Sequence, residues 1–174
     1  RKNVTPNDFE GRGTSHPLYR MSYVLAKSRR AVDWFNGITL GTQVGTRFSI
    51  HSHHIFPQGL LYKNGFDSTN HVHIQQVNAI ANRAFLTGET NLTISDRLPE
   101  DYLPEVDDKF PGALDSQLIP TDRNLWKVEN YREFLAARRE LISDTLNEFL
   151  ENLISVDGES STKPIADIIT LGEG

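Results

Sequence analysis

Apolar residues recur at helical spacing along two long stretches of the chain. The first begins at Pro17 and ends at Gly37, residues typical of a helix start and a helix stop, and it predicts an amphipathic helix of about five turns. The second stretch, residues 128–154, predicts another long helix. Each helix has an apolar face to bury, so we expect the two to pack against each other. The apolar positions of the first are Leu18, Met21, Val24, Leu25, Val32 and Phe35.

A short β-leaning pattern after the first helix leads into a group of histidines. Residues 39–50 are punctuated by glycine, and Arg47 to Ile50 predict a short strand. The strand runs directly into His51, His53 and His54.

A second strand and a helix are predicted further along. Residues 82–86 favour a short strand. Thr87 followed by Glu89 is typical of the cap and the acidic first turn of a helix. That helix would carry Asn91 and end before Pro99.

The rest of the chain predicts mainly loops. Residues 58–76 indicate a long surface loop with at most one short helix, and residues 99–120, with four prolines, indicate loops around one short helix. The sequence of the tail, residues 155–174, indicates no structural or functional role. The predicted fold class is α+β, a single domain with a strand–strand–helix element at about 46–98 embedded among long α-helices.

Composition narrows the chemistry. The chain has no cysteine, which excludes disulfides and thiolate zinc sites, so any metal is held by His, Asp, Glu or Asn. An apolar share of 37% without a bilayer-length apolar run excludes a membrane-spanning protein. The chain starts with Arg1 and has no secretory signal, so we expect a cytoplasmic piece of a longer protein.

Charge is distributed unevenly along the sequence. The net charge is −5, but residues 1–63 carry nine Lys or Arg against three acidic residues, which gives +6 and leaves −11 for the remainder. A basic first third is suited to phosphate, although the same residues equally suit an ordinary solvated helix face. Its predicted helix would display Arg20, Lys27, Arg29 and Arg30.

The histidines and two later asparagines form a pattern that resembles the motif of HNH nucleases. The pattern combines Asn82 and Asn91 with the segment His53-His54-Ile55-Phe56-Pro57. The resemblance implies a ββα-metal (HNH, His-Me finger) element in which His53 and Asn91 bind the metal, His54 is the general base, and Asn82 fixes the loop between the strands. Many family members have Asp at the position of His53. The ligand expected here is therefore a neutral histidine in place of a charged carboxylate.

A narrower resemblance extends from about residue 17 to residue 154. The segments 77–83, 90–96 and 99–103, with the late aromatic residues around Trp126 and Tyr131, are similar to the HNH-like C-terminal domain of GmrSD-type modification-dependent restriction endonucleases. The resemblance implies restriction of foreign or modified DNA, and a nucleotide-hydrolysing domain or subunit upstream of the nuclease.

The expected partner is DNA, and the expected cofactor is one divalent ion. A neutral nitrogen and an amide oxygen suit several ions, so Mg²⁺ is preferred but Mn²⁺ and Zn²⁺ stay open. His51, on the same strand face as His53, and Arg83 and Arg97, which flank the site, are candidates for DNA contact. Asn78 is left out of the metal set.

Two alternatives stay open from the sequence. One is a structural zinc module that binds nucleic acid or protein without catalysis. Its ligands would come from His51, His53, His54, His71 and His73. The other is a degenerate nuclease that binds DNA without cutting it, which the presence of His54 and Asn91 disfavours. For Arg138 and Arg139, pairing with nearby acidic residues is expected.

Overall fold

The computed structural model describes residues 3–41 and 50–160. Most of this chain is helical and two short antiparallel strands lie in its middle, so the α+β class is confirmed. The strands are β1 (Ile50–His54) and β2 (Arg83–Thr87). The helices are α1 (Pro17–Ser28), α2 (Gln58–Lys63), α3 (His71–Val77), α4 (Gly88–Ile94), α5 (Pro99–Lys109), α6 (Ala113–Ser116) and α7 (Tyr131–Ser160). None of the helices in these ranges combines the length and the apolar content needed to cross a bilayer.

Helix α1 is shorter than the sequence predicts. It begins at Pro17 as expected but ends at Ser28, well before Gly37. Arg30 adopts a left-handed conformation with φ 54°, and the amide of Ala31 donates to the carbonyl of Ala26. This left-handed closure ends the helix. The apolar residues beyond it, Val32 and Phe35, therefore belong to the following loop.

The two strands pair in one antiparallel register. His53 lies opposite Ala84, and His54 lies opposite Arg83. The strand start predicted at Arg47 falls partly outside the described residues, which resume at Ile50. The second strand begins one residue later than predicted because Asn82 closes a 3₁₀ turn.

Two segments predicted as loops are more helical than expected. Residues 58–76 contain α2 and most of α3, and residues 99–120 contain the eleven-residue α5 as well as α6. Pro104 lies inside α5, where it removes one backbone hydrogen bond. The helix forms nevertheless, because it buries Tyr102, Leu103 and Val106 in the core.

The long helix α7 packs against α1, as predicted. Leu25 of α1 and Ile142 and Leu146 of α7 belong to one buried apolar cluster. Helix α7 starts at Tyr131, after a 3₁₀ turn at Val128–Asn130, and continues to Ser160, so it takes in the first part of the predicted tail. The remaining tail, 161–174, lies outside the described residues.

Candidate functional site

The hairpin and α4 bring residues from two distant parts of the sequence together. Strand β2 leads into Thr87, whose hydroxyl caps α4 by accepting from the amide of Thr90, as the sequence predicts. Asn91 follows within the first turns of α4. His53 Nδ1 and Asn91 Oδ1 lie 2.7 Å apart, although 38 residues separate them in the chain.

This pair of atoms fits a divalent ion. Two ligand atoms that hold one ion at about 2.1 Å and at right angles are about 3 Å apart, close to the 2.7 Å separation of His53 Nδ1 and Asn91 Oδ1. Without an ion, the two atoms share a hydrogen bond. The donor set, one imidazole nitrogen and one amide oxygen, would leave most coordination positions of such an ion open to water and substrate.

His53 is held in its neutral form by burial. Its side chain is 3% exposed and lies edge-on to Trp34 and Tyr102, with ring centroids 6.3 Å away in each case. Burial lowers the pKa of His53 to about 4, and the hydrogen bond to Asn91 offsets part of that effect. Its Nε2 is buried and has no hydrogen-bond partner among residues 3–41 and 50–160. A neutral imidazole is the form that binds metal ions.

The burial of His53 predicts an acid-sensitive fold for the metal-free protein. The pKa of His53 is about 4 when folded and 6.5 without the environment of the fold. Between these two pH values, His53 binds a proton in the unfolded chain but not in the folded one. The free energy of unfolding is therefore unaffected by His53 above about pH 6.5 and falls as the pH drops toward 4. His53 alone is expected to lower the free energy of unfolding by roughly 2 kcal/mol between about pH 7.5 and about pH 5, and His54 adds to that fall.

Urea unfolding in EDTA at both pH values measures this loss. The variant His53→Gln should show a smaller fall, and the residual fall comes from His54, whose pKa is also lowered to about 4. An equal loss in wild type and variant would contradict the assignment to His53.

His54 lies next to this pair and contacts Asn78, a residue that the sequence analysis left out. His54 Nε2 is 3.0 Å from Asn78 Oδ1. Arg83 donates to the same oxygen and to the hydroxyl of Ser52. Burial, and second the charge of Arg83, lower the pKa of His54 to about 4. The sequence offered one signal for Asn78, its position four residues before Asn82 at the end of a helix.

Asn82 is fully buried and connects the loop after β1 to the end of α3. Its side chain accepts from the amide of Phe56 and donates to the carbonyls of Phe56 and Val77. Its own carbonyl accepts from the amide of Ile55. These contacts fix the chain immediately after His54.

A buried carboxylate that sequence analysis missed positions α4. Asp33 is fully buried in the loop after α1, where it accepts from the amides of Phe35 and Asn36. It also accepts from the amide and hydroxyl of Thr87 and from the hydroxyl of Thr90, at the start of α4. Asp33 thereby ties this loop to the helix that carries Asn91.

The site opens into a cleft of about 430 Å³. One wall comes from the end of β1 and the start of α2, the other from α4 and the residues after it. Neither Lys nor Arg is among the described residues that line it. The lining includes His53, His54, Gln58, Asn91, Leu92 and Asp96.

Comparison with protein-family models, curated proteins and solved structures finds no match to this chain. The functional interpretation depends on the motif and on the geometry of these side chains.

The other residues proposed to contact DNA take different positions. Arg83 lies beside His54, whereas Arg97 forms an ion pair with Glu105 at 2.6 Å. His51 is exposed and lies over the start of α4, where its Nε2 is 3.0 Å from the position that a Cβ on Gly88 would take. Arg83 and His54 contact the same oxygen, Asn78 Oδ1.

The histidines of the alternative zinc module are not brought together. His73 Nδ1 accepts from the amide of Asp67, and His71 contacts Gln75 one turn away on α3. Within residues 3–41 and 50–160, no group of three or more His, Asp or Glu side chains is placed to share an ion. The five-histidine site therefore has no geometric support there.

Proposed function

We propose that this chain is a metal-dependent DNA endonuclease of the ββα-metal (HNH) type, which hydrolyses phosphodiester bonds. The observation that carries the proposal is the 2.7 Å contact between His53 Nδ1 and Asn91 Oδ1, beside His54 in an open cleft. The order strand, strand, helix and the loop contacts of Asn82 give it further support.

His54 is the proposed general base. At neutral pH its imidazole is uncharged, since its pKa is about 4, so one ring nitrogen is free to accept a proton from a water molecule in the cleft, as a weaker base than free histidine. As the proton leaves, the water oxygen bonds to phosphorus and the bond from phosphorus to the 3′ oxygen breaks. The products are a 5′ phosphate and, after protonation, a 3′ hydroxyl. Burial, and second the positive charge of Arg83, keep His54 unprotonated before the reaction.

His53 and Asn91 are the residues that would hold the divalent ion, with Mg²⁺ preferred and Mn²⁺ or Zn²⁺ as alternatives. When bound, the ion supplies positive charge that offsets the charge growing on the phosphate and on the leaving oxygen. The described lining of the cleft has no Lys or Arg, so the chain itself provides little of that charge there.

DNA outside the cleft would meet the basic face of α1. Arg20, Lys27 and Arg30 are exposed on or just after this helix, and α1 packs on the hairpin through the cluster that contains Ala26 and Phe85. Phosphate contacts of this kind give affinity without sequence preference. Restriction of foreign or modified DNA, with a nucleotide-hydrolysing domain as partner, is the setting that the family resemblance suggests.

Cleavage of a supercoiled plasmid tests the proposal. The protein is first freed of metal with EDTA and then supplied separately with Mg²⁺, Mn²⁺ or Zn²⁺. We expect nicked and linear DNA with at least one ion, none in EDTA, and an unchanged circular dichroism spectrum in EDTA, because an open two-ligand site does not hold the fold together. Unfolding on metal removal, or no cutting with any ion, would overturn the proposal.

A further inference from the structure

We propose that Asn78 is a positioning residue that fixes which nitrogen of His54 acts as the base. The inference rests on the proposed function and deepens it. Asn78 Oδ1 holds His54 in the tautomer that carries its proton on Nε2, so Nδ1 is the atom that accepts the proton from water. The sequence motif assigns this asparagine no part, and the role follows from its contacts.

The orientation of the Asn78 amide follows from its partners. Its Nδ2 donates to the carbonyl of Ile74 at 3.0 Å, which places the amide oxygen on the opposite side. Gln58 Nε2 and Arg83 Nη2 approach that oxygen at 2.7 and 3.3 Å. The guanidinium of Arg83 only donates, so the atom it contacts must be the acceptor oxygen, and Gln58 then donates to the same atom.

The tautomer of His54 follows from that assignment. An amide oxygen cannot donate, so the 3.0 Å contact between Asn78 Oδ1 and His54 Nε2 requires a proton on Nε2. In a neutral imidazole the lone pair is then on Nδ1. No hydrogen bond to His54 Nδ1 is found among the described residues, and His54 lines the cleft, where water has access.

Asn78 is itself held rigidly, which makes it suited to this task. It is the C-terminal cap of α3, and its backbone amide donates to the carbonyl of Ile74. The next residue, Ala79, is 2% exposed. A base whose ring and tautomer are fixed in advance does not need to reorganise when the substrate binds.

Two substitutions separate positioning from capping. Asn78→Asp keeps an acceptor oxygen for His54 but loses the amide that donates to Ile74, whereas Asn78→Leu loses both. We expect Asn78→Leu to lower kcat by roughly 10- to 100-fold and Asn78→Asp by less than about fivefold, with the dissociation constant for DNA unchanged within about twofold in both. Equal losses in the two variants would show a capping role only and would overturn the inference.

Asn64 offers a matched control. It is the C-terminal cap of α2, and its Nδ2 donates to the carbonyl of Leu60 at 2.7 Å, the same capping bond without a histidine contact. Asn64→Ala should leave kcat unchanged.

A readout that needs no cleavage tests the tautomer directly. In ¹⁵N-labelled, metal-free protein near pH 7, the imidazole of His54 should show a protonated Nε2 and a bare Nδ1 in the wild type and in Asn78→Asp, and a mixture in Asn78→Leu. A proton on Nδ1 in the wild type would overturn the inference. If the wild-type protein cuts no DNA, the proposed function fails while this spectrum still decides the tautomer.

Discussion

Replacing His54 with alanine is expected to lower kcat for plasmid cleavage by roughly 10²- to 10⁴-fold, the usual contribution of a general base. The physical reason is that a water molecule in the cleft would have to lose its proton to solvent at the moment it attacks. The affinity for DNA and for the divalent ion should stay close to that of the wild type, because His53 and Asn91 remain paired. Initial rates of nicking at saturating metal, together with a gel-shift measurement of DNA binding, give both quantities.

Two controls make this result specific. His71→Ala removes a histidine that contacts Gln75 on α3 and does not line the cleft, so this variant should cut at the wild-type rate. Asn91→Ala removes one of the two proposed metal ligands, so it should raise the ion concentration needed for the half-maximal rate. Wild-type cleavage by the His54 variant would mean that another group takes the proton, and the mechanism proposed above would be wrong.

The parts of this site that sequence predicts are those with local signals. The β-leaning run into the histidines and the Thr87 cap each depend on a few neighbouring residues; the cap lies where predicted, and the described part of the strand, Ile50–His54, takes in the histidines themselves. Since Thr87 starts α4, Asn91 follows at a fixed distance along it, and antiparallel pairing of the strands returns the chain to His53. Local rules therefore account for the contact between residues 38 positions apart.

The parts that sequence does not predict depend on tertiary contacts. Nothing near Asp33 in the chain shows that its partners are Thr87 and Thr90, more than fifty residues away. The early end of α1 has the same origin. The apolar residues after Arg30 continue a helical pattern, but the loop they form is held by Asp33 and not by helical hydrogen bonds.

Arg138 is another residue whose partners depend on tertiary contacts. The sequence predicts that it pairs with acidic neighbours on α7, and that prediction is wrong. Its side chain is 4% exposed and donates to carbonyls on two separate segments of the chain. The acceptors are the carbonyls of Ala81, Arg83, Gln117 and Leu118. Burial lowers its pKa to about 9, so it stays charged at neutral pH.

Arg138→Met is accordingly expected to cost about 3–5 kcal/mol of unfolding free energy, because each buried acceptor left without a donor costs roughly 1–3 kcal/mol. Methionine keeps much of the apolar stem but leaves four carbonyls without their donor. Urea unfolding near neutral pH measures the loss. Arg132→Met is the matched control on α7, since Arg132 is exposed and its guanidinium stacks on Phe66 at 4.6 Å, a contact worth roughly 1 kcal/mol or less.

Two of the four carbonyls that accept from Arg138 lie next to the candidate site. Ala81 and Arg83 flank Asn82, so Arg138 holds the backbone on both sides of the residue that fixes the loop after His54. Loss of Arg138 should therefore loosen the start of β2 before the whole domain unfolds, and amide hydrogen exchange should rise there first. A Met variant as stable as the Arg132 control, with unchanged exchange in β2, would show that the four carbonyls find other donors and that this buried cation does not support the hairpin.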